Sequence, residues 1–253
     1  MHRFVALAYA AVVYLFFFAV FVYSIGFVGN VFVPKTIDAG GEGAPLGVAL
    51  LTNLALLSLF AVQHSVMARP AFKRWWTRLV PRPVERATYV LFSSLAMLAL
   101  FVFWRPMTGV VWELESEAAR AVVQGIYFSG WALLLYATFL IDHFDLFGIR
   151  QAVQHWKGES HAKQLFVTPG LYRFVRHPIY VAWLVIFWAA PTMTVVHALF
   201  TAMTPAYSLL AIPLEERDLV GEFGETYRSY RRSTPALAPR LRAARVASPG
   251  RTA

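Results

Sequence analysis

A chain of 253 residues that is 58% hydrophobic and 15% charged has too few charges to cover a water-facing surface, since a soluble domain averages about a quarter charged. Its net charge of +9 lies in short stretches between long apolar runs. That pattern points away from nucleic acid and toward the lipid bilayer as the partner. With no cysteine, disulfides, cysteine-bound metal and thiol nucleophiles are excluded.

In chain order, the first apolar run is Phe4 to Val28. It is longer than a signal-peptide core and is followed by no small-residue cleavage pattern, so it reads as a retained span. Further runs are Leu46 to Val66, Tyr89 to Trp104 and Val122 to Ile141, each near the ~20 residues that cross the hydrocarbon. The last run, Ile179 to Leu214, is too long for one span. Pro191 and Thr192 stand where a break is needed. The pattern predicts a hairpin with a short arm, Pro178 to Ala190, and an ordinary second arm. The fold class is therefore an all-α, polytopic helical membrane protein of five to six apolar spans that includes this C-terminal hairpin.

Loop charges set the expected orientation. Residues 69 to 87 carry six basic side chains against Glu85, whereas residues 105 to 120 hold Glu113, Glu115 and Glu117 against two arginines. The segment 142 to 177 is mildly basic and the chain beyond Arg217 strongly so. These asymmetries place both termini in the cytoplasm and the protein in the inner (cytoplasmic) membrane. Phe223, Gly224, Tyr227, Tyr230 and Pro235 read as a cytoplasmic interfacial helix. Residues 1–240 form one expected domain, and the Arg/Ala/Ser/Pro-rich residues 241–253 read as a disordered tail.

Polar residues near membrane depth are costly, so they mark functional candidates. One group runs from Thr168 to Tyr180. Pro169 and Gly170 form a turn, Pro178 suits the first turn of a helix, and Arg176 with His177 stands at that helix's N-terminus, a place suited to an anion or to an interfacial anchor. A second is Glu215, Glu216, Arg217 and Asp218. At a helix C-terminus its negative charges would oppose the macrodipole and favour a cation or ribose hydroxyls. A third is Gln63, His64 and Ser65, and a fourth is Asp142, His143 and Asp145.

The segment RHPIY, a hairpin, the pair EE and then FGETYRSYRRSTPALAPR resemble the isoprenylcysteine carboxyl methyltransferase and phospholipid methyltransferase superfamily over residues 164 to 240. The resemblance implies that Gln164, Leu165, Phe166, Val167, Tyr172, His177, Pro178, Ile179, Tyr180 and Glu215 surround S-adenosyl-L-methionine, with Arg176 and Glu216 as flanking candidates. Where the isoprenylcysteine enzymes place an arginine for a substrate carboxylate, four residues before the first glutamate, this chain has Ala211, which argues against a carboxylate substrate. With GFVGNVFVPKTID, FAVQHSVMARPAFKRWW and DHFDLFGIRQ added, the pattern resembles the bacterial methanethiol S-methyltransferases, which make dimethyl sulfide. NnrU-type membrane proteins share part of it.

The resemblance implies methyl transfer to a small thiol. A thiol is mostly protonated at neutral pH and its thiolate is the competent nucleophile, so a base would raise the rate. His143, oriented by Asp142 or Asp145, is the first candidate and His64 the second. A lipid amine or larger thiol as acceptor, and a non-enzymatic membrane protein, are the alternatives. No metal site is expected, since neither H-x-x-x-H nor H-E-x-x-H occurs. The oligomeric state is not legible.

Overall fold

A computed structural model describes residues 1–41, 43–107, 109–159 and 166–238. Gln164, Leu165 and the expected tail lie outside these described residues.

The first apolar run becomes α1 (Arg3–Gly29), opened by the His2 side chain accepting from Phe4 N–H and closed by Asn30 in the left-handed region. It is followed by α2 (Leu46–Ala68), a short amphipathic α3 (Pro70–Trp76) and α4 (Arg82–Phe103). Helix α4 starts seven residues before the apolar run at Tyr89, because Arg82, Glu85 and Arg86 are good helix formers whatever their hydropathy. Strand β1 (Val110–Glu113) precedes α5 (Glu117–Leu140), which is capped by Ser116. Then come α6 (His143–Leu146) and α7 (Ile149–Lys157), a 3-10 turn at Gly170–Arg173, α8 (Pro178–Trp188), β2 (Thr192–Thr194), α9 (Val195–Phe223) and α10 (Glu225–Ser233).

Among the described residues, five helices are long and apolar enough to cross a membrane: α1, α2, α4, α5 and α9. Their outward faces carry bare aliphatic side chains such as Leu51 and Leu210, 70% and 73% exposed. Such faces are stable against lipid rather than water. The protein is a multi-pass membrane protein. Helix α8 is the short hairpin arm: its 11 residues rise about 16 Å, half of a hydrocarbon core.

The hairpin break falls where proline requires it, but the residues there do more than turn. β2 pairs antiparallel with β1, Val110 opposite Thr194 and Glu113 opposite Thr192. This two-stranded patch is the one departure from an all-helical fold among the described residues. It ties the α4–α5 connection to the α8–α9 hairpin. The bundle thus has a hairpin end, with residues 30–41, 43–45, 104–107, 109–116 and 189–197, and a basic end. Arg3 approaches Gly158 at the basic end, where α10 also packs on the end of α9, so both described ends of the chain share one face of the bundle.

The core joins α1, α2, α4, α5, α8 and α9 through Phe27, Leu100, Phe101, Trp104, Trp131, Ile186 and Val196. Gly130 makes the α5–α8 contact possible: a Cβ there would stand 2.8 Å from Ile186 and 3.2 Å from Val185. Asn53, fully buried in α2, holds both backbone groups of Arg105, donating to its carbonyl at 2.7 Å and accepting its N–H at 2.9 Å.

Candidate active site

Helix α9 runs nine residues past Leu214, to Phe223. Glu215 and Glu216 are therefore inside the helix, not at its end. Dipole effects fade beyond the last turn, so the expected opposition to the macrodipole does not apply. What faces the two glutamates is the Arg-His-Pro-Ile-Tyr segment. Arg176 donates Nε–H to Glu216 Oε1 at 2.7 Å, and His177 Nε2 lies 3.1 Å from the same oxygen. His177 Nδ1 lies 3.8 Å from Glu215 Oε2, and the Tyr180 hydroxyl donates to that oxygen at 3.5 Å. One imidazole thus sits between two adjacent carboxylates.

The chain's last described residues close this arrangement. The backbone N–H groups of Arg176 and His177 donate to the carbonyls of Pro235 and Ala236, at 2.9 and 3.1 Å. The Arg176 guanidinium also donates to the carbonyls of Arg231 and Thr234. The end of α10 and the segment after it thus fold back across the start of α8 and take the backbone donors of Arg176 and His177 and part of the Arg176 guanidinium. Phe166 packs its ring on Phe223, Tyr227 and Tyr230, at 5.3, 5.6 and 5.3 Å between centroids. The Tyr230 hydroxyl donates to the Tyr172 carbonyl at 2.5 Å. Val167 is exposed, Pro178 buried, and Ile179 packs on the core.

Burial holds the Tyr172, Tyr227 and Tyr230 phenols above the ordinary tyrosine value, and the charge of Glu215 adds to this at Tyr172. All three remain hydroxyl donors at neutral pH. Glu215 keeps 42% side-chain exposure although Tyr172, Tyr180, Tyr207 and Tyr89 all lie within reach of its charge. A carboxylate ringed by phenols yet still open is suited to a cation, which gains from both the charge and the ring faces.

The two candidate bases are placed differently. His64 lies beside the tyrosine ring. The Tyr89 hydroxyl is 3.0 Å from its ring nitrogens and the Ser93 hydroxyl 3.3 Å from Nδ1, while Phe60 stacks on it. The neighbouring Ser65 hydroxyl lies 3.1 Å from that of Tyr207. His143 is elsewhere, between α1 and α5. Its Nε2 lies 2.9 Å from the Tyr14 hydroxyl and its Nδ1 2.9 Å from that of Thr138, and its ring stacks on Phe139 at 4.3 Å. Burial pulls its pKa below the ordinary histidine value, against the pull of Asp142.

Of the two aspartates expected to orient His143, Asp142 acts on it through its charge while its carboxylate caps α6 by accepting Asp145 N–H and pairs with Arg150, and Asp145 accepts from Gln151. The capping role wins because Asp142 adopts a left-handed backbone at the helix start. Sequence reasoning missed Tyr89, Ser93 and Tyr207. For the first two the signal was available: they are hydroxyls four residues apart on one helix face. Among the described residues, no group of three or more His, Cys, Asp or Glu side chains is placed to hold a metal ion.

The motif GFVGNVFVPKTID lies at the hairpin end. Asp38 accepts from Asn30 at 2.6 Å and from Thr194, and faces His197 Nδ1 at 3.5 Å. It pins the hairpin, about 27 Å along α9 from Glu215.

The fold defines a multi-pass helical membrane protein. The family described as a protein of unknown function, DUF1295, matches residues 55–234. Methanethiol S-methyltransferase 2 of Bradyrhizobium diazoefficiens is 51% identical over 243 residues, 96% of this chain and 93% of the relative. The methanethiol S-methyltransferase of Mycobacterium tuberculosis is 48% identical over 94% of this chain and 98% of its own length. Nurim of Rattus norvegicus is 31% identical over 68% of each chain. No solved structure matches. The chain belongs to the methanethiol S-methyltransferase family.

Proposed function

We propose that the protein transfers a methyl group from S-adenosyl-L-methionine to methanethiol, releasing dimethyl sulfide. The observation that carries this reading is the open Glu215 carboxylate among tyrosine hydroxyls, beside His177 and at the turn the family resemblance singles out. That set fits a ligand bearing a cationic sulfur and hydroxyls. Phe166, Val167, Tyr172, Arg176, His177, Pro178, Ile179, Tyr180, Glu215 and Glu216 would hold it, with Gln164 and Leu165 completing the set. Bound there, the cofactor supplies an electrophilic methyl group on positively charged sulfur.

The protein's own contribution is alignment and exclusion of water. Arg176 and Glu216 neutralise one another and fix His177. Glu215 is left to attract positive charge without locking it in place. The acceptor must lose a proton to become a good nucleophile, and His143 and His64 are the histidines the sequence offers for that. We place the basic end in the cytoplasm, where the cofactor is made, with the protein in the inner membrane and residues 1–240 as one domain.

The test is headspace gas chromatography of purified protein with S-adenosyl-L-methionine and methanethiol, paired with calorimetry of cofactor binding. Dimethyl sulfide is expected, and Glu215→Gln should weaken cofactor binding about tenfold or more, the scale of one charge-assisted contact. Absence of product from a protein that binds the cofactor overturns the acceptor. Undiminished binding by Glu215→Gln overturns the site.

A further inference from the structure

Of the two histidines, only one shares neighbours with the Glu215 carboxylate. Tyr89, whose hydroxyl touches the His64 ring at 3.0 Å, also lies within reach of the charges on Glu215 and Tyr207. Tyr180, on the other side, feels Glu215, Tyr207 and Tyr89. The Ser65 hydroxyl, next to His64 on α2, lies 3.1 Å from that of Tyr207 on α9, and Tyr180 on α8 donates to Glu215 on α9, so α2, α4, α8 and α9 set these side chains near one another at the basic end. His143 has both ring nitrogens engaged by hydroxyls, a phenylalanine across its face and 3% exposure. That burial leaves a substrate no way in.

On the methyl-transfer reading above, we propose that His64 is the catalytic base that takes the thiol proton, and that Tyr89 and Ser93 are positioning residues that hold its ring. The Tyr89 hydroxyl lies equally far from both ring nitrogens, so it bonds one at a time. Ser93 holds Nδ1. With Nδ1–H donating to Ser93, the Nε2 lone pair accepts from the Tyr89 hydroxyl, and the thiol takes that place when it binds, the division of roles a histidine base needs.

The S–H bond breaks, an N–H bond forms at Nε2, and the electron pair stays on sulfur as the nucleophile. After methyl transfer the proton passes to water, so a thiol and a sulfonium donor become a sulfide, a neutral donor remnant and one proton. The charges that act on His64 are those of Arg86 from α4 and Arg69 at the end of α2; Tyr89 from α4 touches its ring, and Tyr207 and Glu215 from α9 act on Tyr89. The two arginines place positive charge where a thiolate develops. A sulfide has no proton to give, so the same contact favours substrate over product.

The test follows kcat/KM for methanethiol from about pH 6 to about pH 10 in the full chain, in detergent, with wild type, His64→Gln and Tyr89→Phe. The wild-type rate should already be raised at the acid end of this range, with its limb well below the thiol's own pKa of about 8.5. Without the base, the reaction draws on thiol already ionised, about 3% at pH 7 for a pKa of about 8.5. His64→Gln should therefore fall about thirtyfold at pH 7 and recover as the pH passes the thiol's own pKa. Cofactor affinity by calorimetry should stay within about twofold. Tyr89→Phe should move the limb with cofactor binding intact, and it carries the test if His64→Gln does not fold.

A readout independent of turnover is the His64 ring resonance, which ethanethiol alone should shift in the absence of any methyl donor. An unmoved pH limb in His64→Gln, or a limb that moves in His143→Gln instead, overturns the assignment. A wild type that forms no sulfide at any pH overturns the methyl-transfer reading itself. The ethanethiol shift still tells, in that case, whether a thiol sits against His64.

Discussion

Replacing Glu216 with alanine should destabilise the fold far more than a surface charge would. The Arg176 and Glu216 side chains are 11% and 7% exposed, and Glu216 serves both Arg176 and His177. Removing one partner of a buried pair costs about 3–5 kcal/mol, because the other charge is left buried and unpaired. Arg176 keeps the carbonyls of Arg231 and Thr234, which puts the expected cost at the low end, about 3 kcal/mol. At about 2–4 °C per kcal/mol for a chain of this size, Tm should drop by about 6–12 °C. Thermal unfolding in detergent followed by circular dichroism would read it, with Arg176→Ala and the double variant completing a cycle. The double variant should cost clearly less than the sum of the singles, since it leaves no orphan charge. Strict additivity, or a Glu216→Ala shift of under about 2 °C, the scale of a neutral surface substitution, would refute the reasoning.

Gly224 has φ 59° and ψ −130° with open space where a Cβ would go, so Gly224→Ala should cost about 1–3 kcal/mol from backbone strain alone. By contrast, Gly221 is helical and equally open, and Gly221→Ala should stabilise by about 0.5–1 kcal/mol in the same melts. Asn53→Ala would remove the buried amide that bonds both backbone groups of Arg105, and a loss of about 2–4 kcal/mol is expected in denaturant titration. At Asp38, burial pushes the carboxyl up, but bonds with His197, Thr194 and Asn30 outweigh it and hold it below the ordinary value of 3.8. Its stabilisation is thus present above pH ~3.8 and lost as pH falls through the lower folded value. Melting points measured from about pH 5 down to about pH 3 should fall less steeply in Asp38→Asn than in wild type.

Apolar run length was enough to find the spans, because hydrocarbon leaves the backbone no alternative to helix. It could not find the true start of α4 or the end of α9, since Arg82 and Glu222 are as comfortable in a helix as Leu is. Pro191 announced the hairpin, but no local signal announced that β1 would pair with β2 across some eighty intervening residues, a tertiary event. The Arg-His-Pro-Ile-Tyr turn and the glutamate pair were legible because their residue types are costly near a membrane. The order of the two histidines was not. His143 looked stronger beside two aspartates in sequence, yet those side chains turn to a helix cap, an arginine and a glutamine. His64, alone in its span, meets tyrosines contributed by other helices. Which polar side chains share a space is a property of packing, not of neighbours along the chain.

The bonds from Pro235 and Ala236 to the start of α8 have a consequence for how the protein is made. Those carbonyls emerge from the ribosome about sixty residues after the N–H groups they satisfy, or about 3–12 s later at about 5–20 residues per second. Every apolar span is already made by then. A message truncated just after α9 would therefore yield a chain that inserts fully and escapes quality control keyed to hydrophobicity, yet holds Arg176 and His177 with their donors unmet. Assembly of the centre waits for Pro235 and Ala236, and loss of that segment would leave an inert protein in the bilayer.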